Sequence, residues 1–303
     1  MRVATAFSDI ACEGPVLLTI GTFDGVHRGH RFLLEQAQQR AREHSYSLVI
    51  VTFDPSPAVV LRPNAGRYQL ITASQKLRLL EEFSPALTVL LPFTRELATL
   101  TANQFLDALE GRLRIGELWM GEDFHFGHDR EGGLNLLVQR GQQDGFAVHV
   151  VARRMEDQGN ISSTRVREAL VAGDVEGAMP LLGRPFALDL TDHDDVEHLR
   201  DGLPGLQASI APHLVLPASG VYAVLRTGGA GGQVPAVAEV RLDATRHQVR
   251  VRPLQGRDLP CSIEFIQRLA GGPDGQDVAA LYDAARAALL SWQRPVYPAA
   301  GDY

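Results

Sequence analysis

Residues 16–21, VLLTIG, limit the fold more than any other stretch of the chain. This β-branched apolar run ends in glycine. After a turn holding Gly21, Gly25 and Gly29 it gives way to Arg31–Arg42, where Phe32, Leu33, Ala37 and Ala41 recur near helical spacing. The pattern is strand, glycine turn, helix. Leu48–Phe53 (LVIVTF) is a second buried-strand pattern, stopped by Asp54-Pro55-Ser56-Pro57 because proline has no N–H to donate and cannot continue a central strand. A βαβ unit is therefore complete by residue 53, and alternation of this kind favours a parallel sheet covered by helices.

The alternation continues. Thr72-Ala-Ser-Gln75 has the form of a capping box opening a helix over Lys76–Phe83, and Ala86–Leu91 reads as a third strand. Helix Ala102–Leu113, strand Glu117–Met120, helix Leu134–Asp144 and strand Ala147–Val151 follow, then a polar loop, Arg153–Asn160. Ser162 or Ser163 can cap a helix from Thr164 to Val171. Gly173 stops it, and Asp174 caps another that ends at Gly183. The α/β region closes near residue 185. An acidic stretch, Asp189–Asp201, then leads into short β-rich runs near Val221–Arg226, Val237–Leu242 and Gln248–Val251, suited to a small barrel or sandwich. Asp277–Trp292 places Val278, Leu281, Ala285, Leu289 and Trp292 near helical spacing, as a terminal helix packed on that β-domain.

A chain of 303 residues predicts two domains, each with its own core. Lys and Arg total 29 and Asp and Glu 36, a net charge of −7 that repels phosphate polymers and anionic membranes, so neither a nucleic-acid partner nor a membrane is expected. Cys12 and Cys261 lie far apart without C-x-x-C spacing, which gives neither a disulfide framework nor a zinc cluster and fits a reducing cytoplasm. The first residues hold no unbroken apolar segment of the signal-peptide kind. Runs such as Ser47–Phe53 and Leu87–Phe93 fall far short of the roughly 18 residues of a spanning helix, so a cytoplasmic location is expected.

The chemistry concentrates in Gly21-Thr-Phe-Asp24-Gly25-Val-His27-Arg-Gly29-His30, between the first strand and the first helix. Glycines let backbone approach a phosphate, a helix start offers unpaired N–H groups and partial positive charge, and the two imidazoles stand three residues apart. An anion site is predicted, in which His27 and His30 donate hydrogen bonds to phosphoryl oxygens whose charge grows during transfer. The same residues also read as surface histidines on a plain turn, or as a metal pair with Asp24 the one further ligand type nearby. A second signal, Ile161-Ser162-Ser163-Thr164-Arg165-Val-Arg167, opens another helix with three hydroxyls and two guanidiniums. It fits the outer phosphates of a nucleotide, or a simple cap. Together the two signals imply one triphosphate held between two helix N-termini.

These residues resemble the bacterial bifunctional riboflavin kinase/FAD synthetase family, whose N-terminal module is an FMN adenylyltransferase of the nucleotidylyltransferase superfamily. The likeness runs from about residue 15 to 186. It takes in the loop at 21–30, Val51-Thr-Phe-Asp-Pro-Ser-Pro57, Leu91-Pro-Phe93, Gly121-Glu-Asp123-Phe-His-Phe126-Gly127, the Ile161–Arg167 element and Leu181-Leu-Gly-Arg-Pro-Phe186. The resemblance implies an α/β chain, with a Rossmann-like nucleotidylyltransferase domain over residues 1–186 and a smaller riboflavin-kinase-like β-barrel with a C-terminal helix over 187–303. It implies ATP and FMN as substrates and Mg²⁺ carried by the ATP, with no protein ligand to the metal assigned. Gly21, Phe23, Asp24, Gly25, His27, Gly29, His30, Ser163, Thr164 and Arg167 fall at the nucleotide, with His27, His30 and Arg167 catalytic. Asp54, Asp123, Phe124 and Phe126 fall on the flavin side, although the two phenylalanines also read as core aromatics flanking a turn. The terminal phosphate of FMN attacks the α-phosphorus and pyrophosphate leaves. Because that nucleophile is already ionised, positioning and charge neutralisation carry the rate. One departure is Ser56, where relatives often have histidine, which weakens a polar contact at the mouth of the site.

The C-terminal half departs further. The family's P-T-A-N element, whose Thr and Asn serve Mg²⁺ and nucleotide, falls on Leu206-Gln207-Ala208-Ser209-Ile210, so Gln207 and Ser209 replace Thr and Asn. The basic glycine loop before it is instead acidic, Asp192–Glu197. Arg250 stands where the family's glutamate base belongs, and arginine takes no proton at neutral pH. A rival alignment uses Glu239. The expectation is an FAD synthetase whose barrel survives without kinase chemistry. A bifunctional enzyme with a divergent kinase site, and a non-catalytic flavin or nucleotide sensor, are the alternatives. The sequence leaves the oligomeric state open.

Overall fold

A computed structural model describes residues 1–62, 66, 68–152, 155–156, 159–190, 192–193, 196–199, 204–227, 233–243, 247–254, 262–271 and 278–297. Cys261, Asp277 and parts of the loop 153–160 and of the acidic stretch 189–201 lie outside them. The chain divides into two compact units, Met1–Ala65 with Ala73–Ile161, and Gly66–Thr72 with Ser162–Ala299.

The first unit runs β1 (Arg2–Ala4), β2 (Pro15–Ile20), α1 (Arg28–Glu43), β3 (Ser47–Phe53), α2 (Pro57–Leu61), α3 (Ala73–Glu81), β4 (Leu87–Leu91), α4 (Ala102–Glu110), β5 (Arg114–Gly121), α5 (Leu134–Asp144) and β6 (Ala147–Val151). Two short strands, β7 (Met155–Glu156) and β8 (Gly159–Asn160), pair antiparallel after it. The sheet is parallel throughout, in the order β1-β4-β3-β2-β5-β6, with Ile20 opposite Val51 and Phe53 opposite Leu91. From β2 the chain steps outward through β3 to β4, then returns to place β5 on the other side of β2. Strand order therefore reverses at the C-terminal end of β2, the crevice where open α/β sheets bind ligands.

The continuous apolar strands are buried on both faces. Val16, Leu18, Ile20, Val49 and Val51 join Phe105, Leu106 and Leu109 of α4 and Leu137 of α5 in one core. The intervening Leu17 and Ile50, both fully buried, face the other way, toward the side carrying α1 with its buried Leu33, Leu34, Ala37 and Ala41. Each of the Val, Leu, Ile and Phe side chains contributes about 1.5–3 kcal/mol on burial. Two helices start three residues earlier than their periodicity predicts, α1 at Arg28 and α3 at Ala73. β1 is too short to carry a pattern and is absent from the sequence reading.

The second unit opens with α6 (Ser163–Ala172) and α7 (Val175–Leu182), capped as the sequence predicts. Ser162 accepts the N–H of Arg165, Asp174 accepts that of Gly177, and Gly173 and Gly183 close the helices in the left-handed conformation. β9 (Phe186–Asp189), β10 (Val196–His198), β11 (Leu206–Ser209), β12 (Gly220–Thr227), β13 (Val234–Leu242), β14 (His247–Pro253) and β15 (Ser262–Ala270) form one antiparallel sheet in the order β10-β11-β14-β13-β12-β15-β9. Among the described residues β10 and β9 end the sheet with one neighbour each, so it is a curled half-barrel. α8 (Val278–Ser291) covers Val221, Ala223 and Val237 with Leu281, Ala285 and Leu289. The segment around Tyr68 belongs to this unit: Tyr68 and Gln69 both donate to the carbonyl of His213, and Val215 donates to that of Gln69.

Candidate active site

The histidine loop lies at the reversal point of the first unit. Gly21 N–H donates to the Val51 carbonyl at 3.0 Å and the Thr52 hydroxyl to the Thr22 carbonyl at 3.1 Å, which fixes the loop to the end of β3. Phe23 and Val26, 1% and 0% exposed, anchor it from below. Both hold positive φ, 44° and 38°, with Gly25 at 80° between them, backbone that a side-chain-bearing residue adopts only when its surroundings enforce it. Two of the loop glycines also have a packing use that the sequence reading did not include. A Cβ on Gly21 would stand 2.9 Å from the Phe23 ring, and one on Gly29 3.2 Å from the His27 ring. Gly21 and Gly29 make room for the protein's own rings.

His27 is the N-cap of α1. Its Nδ1 accepts the N–H of His30 at 3.2 Å, while its carbonyl accepts that of Arg31. A ring nitrogen that accepts carries no proton, so the neutral imidazole bears its hydrogen on Nε2. The His30 ring stacks on it with centroids 3.7 Å apart and planes 14° from parallel, and meets the Phe23 ring edge-on at 5.3 Å. His30 Nδ1 is buried and has no hydrogen-bond partner among the described residues. Burial, then the cost of a second positive charge beside His27 and near the Lys76 ammonium, hold His30 well below the usual histidine range. The pair is a stack of neutral N–H donors at a helix start, with Asp24 buried in the same loop.

Asp54 follows β3. Its N–H donates to the Leu91 carbonyl, and its own carbonyl accepts from Phe93, so the 53–57 and 91–93 segments close on one corner. Ser56 is buried there, at the start of α2. The flavin-side residues follow β5. Asp123 is exposed, Phe124 is partly buried, and Phe126 is buried against Phe105 with Phe124 stacked on it at 5.5 Å. Phe126 thus fills the core, and Phe124 is the outer ring of the pair.

The second predicted element sits in the other unit. Arg167, on α6, donates from Nη1 to the Tyr68 carbonyl at 3.1 Å and from Nη2 to the Thr164 hydroxyl at 3.3 Å, and its guanidinium lies 5.3 Å over the Tyr68 ring. Ser162 is occupied as the cap, and Ser163 and Thr164 form the first turn. In the same unit Gln207 and Arg250 stand opposite each other on β11 and β14, and Arg250 Nε donates to Gln207 Oε1 at 2.6 Å. Glu239 is the next residue along this row, opposite Arg250 on β13, and accepts from Arg241.

Sequence reasoning missed two residues here. Tyr68 lies 99 positions before Arg167, and no local pattern marks it as that residue's support. Lys76 is wholly buried, with its ammonium on the carbonyl of Phe53 at the end of β3. Its signal was present: it falls four residues before Leu80 on the inward stripe of α3, where the period calls for an apolar side chain.

Among the described residues no group of three or more His, Cys, Asp or Glu is placed to hold a metal, and no helix is long and apolar enough to cross a membrane. A family model for FAD synthetase matches residues 9–165. The bifunctional riboflavin kinase/FMN adenylyltransferase of Escherichia coli strain K12 is 37% identical over 230 residues, 75% of this chain and 73% of that protein. Its namesake from Pseudomonas fluorescens is 38% identical over 171 residues, 56% of this chain and 55% of that one. A crystal structure of a macrolide-efflux protein from Streptococcus pneumoniae has a TM-score of 0.76 at 23% identity, over 96% of this chain and 99% of that chain, a likeness of fold.

Proposed function

The chain belongs to the FAD synthetase family of nucleotidyltransferases, and from that premise we propose that it transfers AMP from ATP to FMN, giving FAD and pyrophosphate, and has lost riboflavin kinase activity. The observation that carries the reading is the stacked His27–His30 pair at the start of α1, with His27 Nδ1 capping the helix. A phosphate oxygen of FMN forms a bond to the α-phosphorus, the bond from that phosphorus to the bridging oxygen breaks, and its electron pair leaves with pyrophosphate. The two imidazoles and the α1 N-terminus meet the charge that grows on the phosphoryl oxygens. Ser163, Thr164 and Arg167 are the nucleotide residues of α6, with Arg167 held ready by Tyr68. Asp54, Asp123 and Phe124 serve the flavin side, with Phe126 behind Phe124. The FMN phosphate is ionised at neutral pH, so the site needs donors rather than a strong base. Mg²⁺ enters as part of the substrate MgATP. The adenylyltransferase segment is read as extending to residue 186, and the reaction is placed in the cytoplasm.

Loss of kinase activity is supported by the bond between Arg250 and Gln207, the positions that match the family's base and metal-side threonine. Neither offers an ionised carboxylate. Glu239 supports the bifunctional alternative by lying in register beside them, but its carboxylate is engaged with Arg241. Chromatography of flavins after incubation with MgATP separates the readings. FMN is expected to yield FAD, and riboflavin to yield no FMN. FMN formed from riboflavin would refute the kinase loss, and a folded protein that makes no FAD from FMN would refute the synthetase.

A further inference from the structure

Lys76 on α3 is 0% exposed. Its Nζ donates to the carbonyl of Phe53, the last residue of β3, at 2.6 Å. Burial lowers its proton affinity, while Asp24 of the histidine loop and Asp54 after β3 act to keep it charged. A buried ammonium is costly unless hydrogen-bonded and paired, and a leucine or methionine would fill the volume without that cost. Packing alone therefore gives no reason for a lysine here.

We propose that Lys76 is a positioning residue for adenylyl transfer, joining the end of β3 to the Asp24 loop and so setting His27 and His30 against the reacting phosphates without itself touching substrate. The proposal rests on the reading of the histidine loop given above. The groups acting on the lysine are Asp24 and Asp54, and those acting on His30 are His27 and Lys76. The lysine's charge is felt at His30, where it opposes protonation and keeps the ring a neutral donor.

Two variants of the full chain test this. Lys76→Gln keeps an N–H for the Phe53 carbonyl and removes the charge, and Lys76→Met removes both. Lys76→Gln is expected to fold, to hold KM for ATP within about threefold and to lose kcat by about thirtyfold, with Lys76→Met losing more. In Lys76→Gln the acid limb of the pH–rate profile moves to higher pH, as does the His30 ring titration followed by NMR, which needs no turnover. Unchanged kcat with an unmoved His30 titration would overturn the proposal. So would a reduced active fraction with an unmoved pH profile, or failure of both variants to fold, since each makes Lys76 a core residue only. A wild-type protein that makes no FAD would instead overturn the reaction, even with His30 coupled to Lys76.

Discussion

The two ring nitrogens of His27 differ in role: Nδ1 closes the first turn of α1, which leaves Nε2 as the nitrogen that carries the ring hydrogen. Replacing His27 by alanine therefore removes a cap, worth about 1 kcal/mol of stability, together with a donor. His30→Ala removes a donor and the ring stacked on His27 but leaves the cap, and is expected to lower kcat of the folded fraction by about 10²–10³. Activity assays beside denaturation curves separate the two variants. The pH behaviour follows from His30. Its folded proton affinity lies well below the ordinary value of 6.5, so the ring stays neutral as the medium is acidified past that point. The acid limb of kcat is expected below 6.5. The same depression makes this residue's contribution to stability complete above 6.5 and lost as pH falls through the folded value, because the unfolded chain takes up the proton first. An acid limb at or above the ordinary histidine value would contradict the placement of His30.

At the scale of elements, β5 is joined to α1 by a buried carboxylate. Glu117, 4% exposed, accepts from Arg40 Nε at 3.0 Å and from Trp119 Nε1 at 2.9 Å, and His149 on β6 stacks on that indole at 4.8 Å. Burial raises the proton affinity of Glu117, but the bonds from Arg40 and Trp119 outweigh it and the net shift is downward. Its stabilising effect is thus present above the ordinary 4.5 and lost as pH falls. Glu117→Ala leaves the Arg40 and Trp119 donors unmatched and is expected to cost about 2–4 kcal/mol in urea unfolding, with FAD formation by the folded fraction unchanged. A loss within about 0.5 kcal/mol would show that the network contributes nothing. Elements of this unit were legible where one rule decided them. The apolar runs of β2, β3 and β4 read as strands because a parallel sheet buries both faces. Strand β1, three residues long, carries no period to read. The start of α1 was displaced because a histidine acts as its cap, and histidine is not among the residues that announce one.

For the whole molecule, the order of parallel strands puts the histidine loop at the reversal point; the alternation in the sequence predicts a parallel sheet but carries no strand order. What no local pattern showed was long-range support: Tyr68 beneath Arg167, and Lys76 on the Phe53 carbonyl at the end of β3, both depend on contacts between segments distant in sequence. The same holds in the half-barrel, where Gln207 and Arg250 are 43 residues apart yet bonded to each other. That bond is the ground on which we propose a division of labour, adenylyl transfer without phosphorylation of riboflavin, in a family whose relatives include bifunctional enzymes. The most direct test is a single-turnover reaction of purified protein with MgATP and FMN, following FAD and pyrophosphate together in the wild type and in His30→Ala. The account predicts one pyrophosphate for each FAD and a rate reduced about 10²–10³-fold in the variant. FAD formed at the same rate by His30→Ala, or pyrophosphate released without FAD, would contradict it.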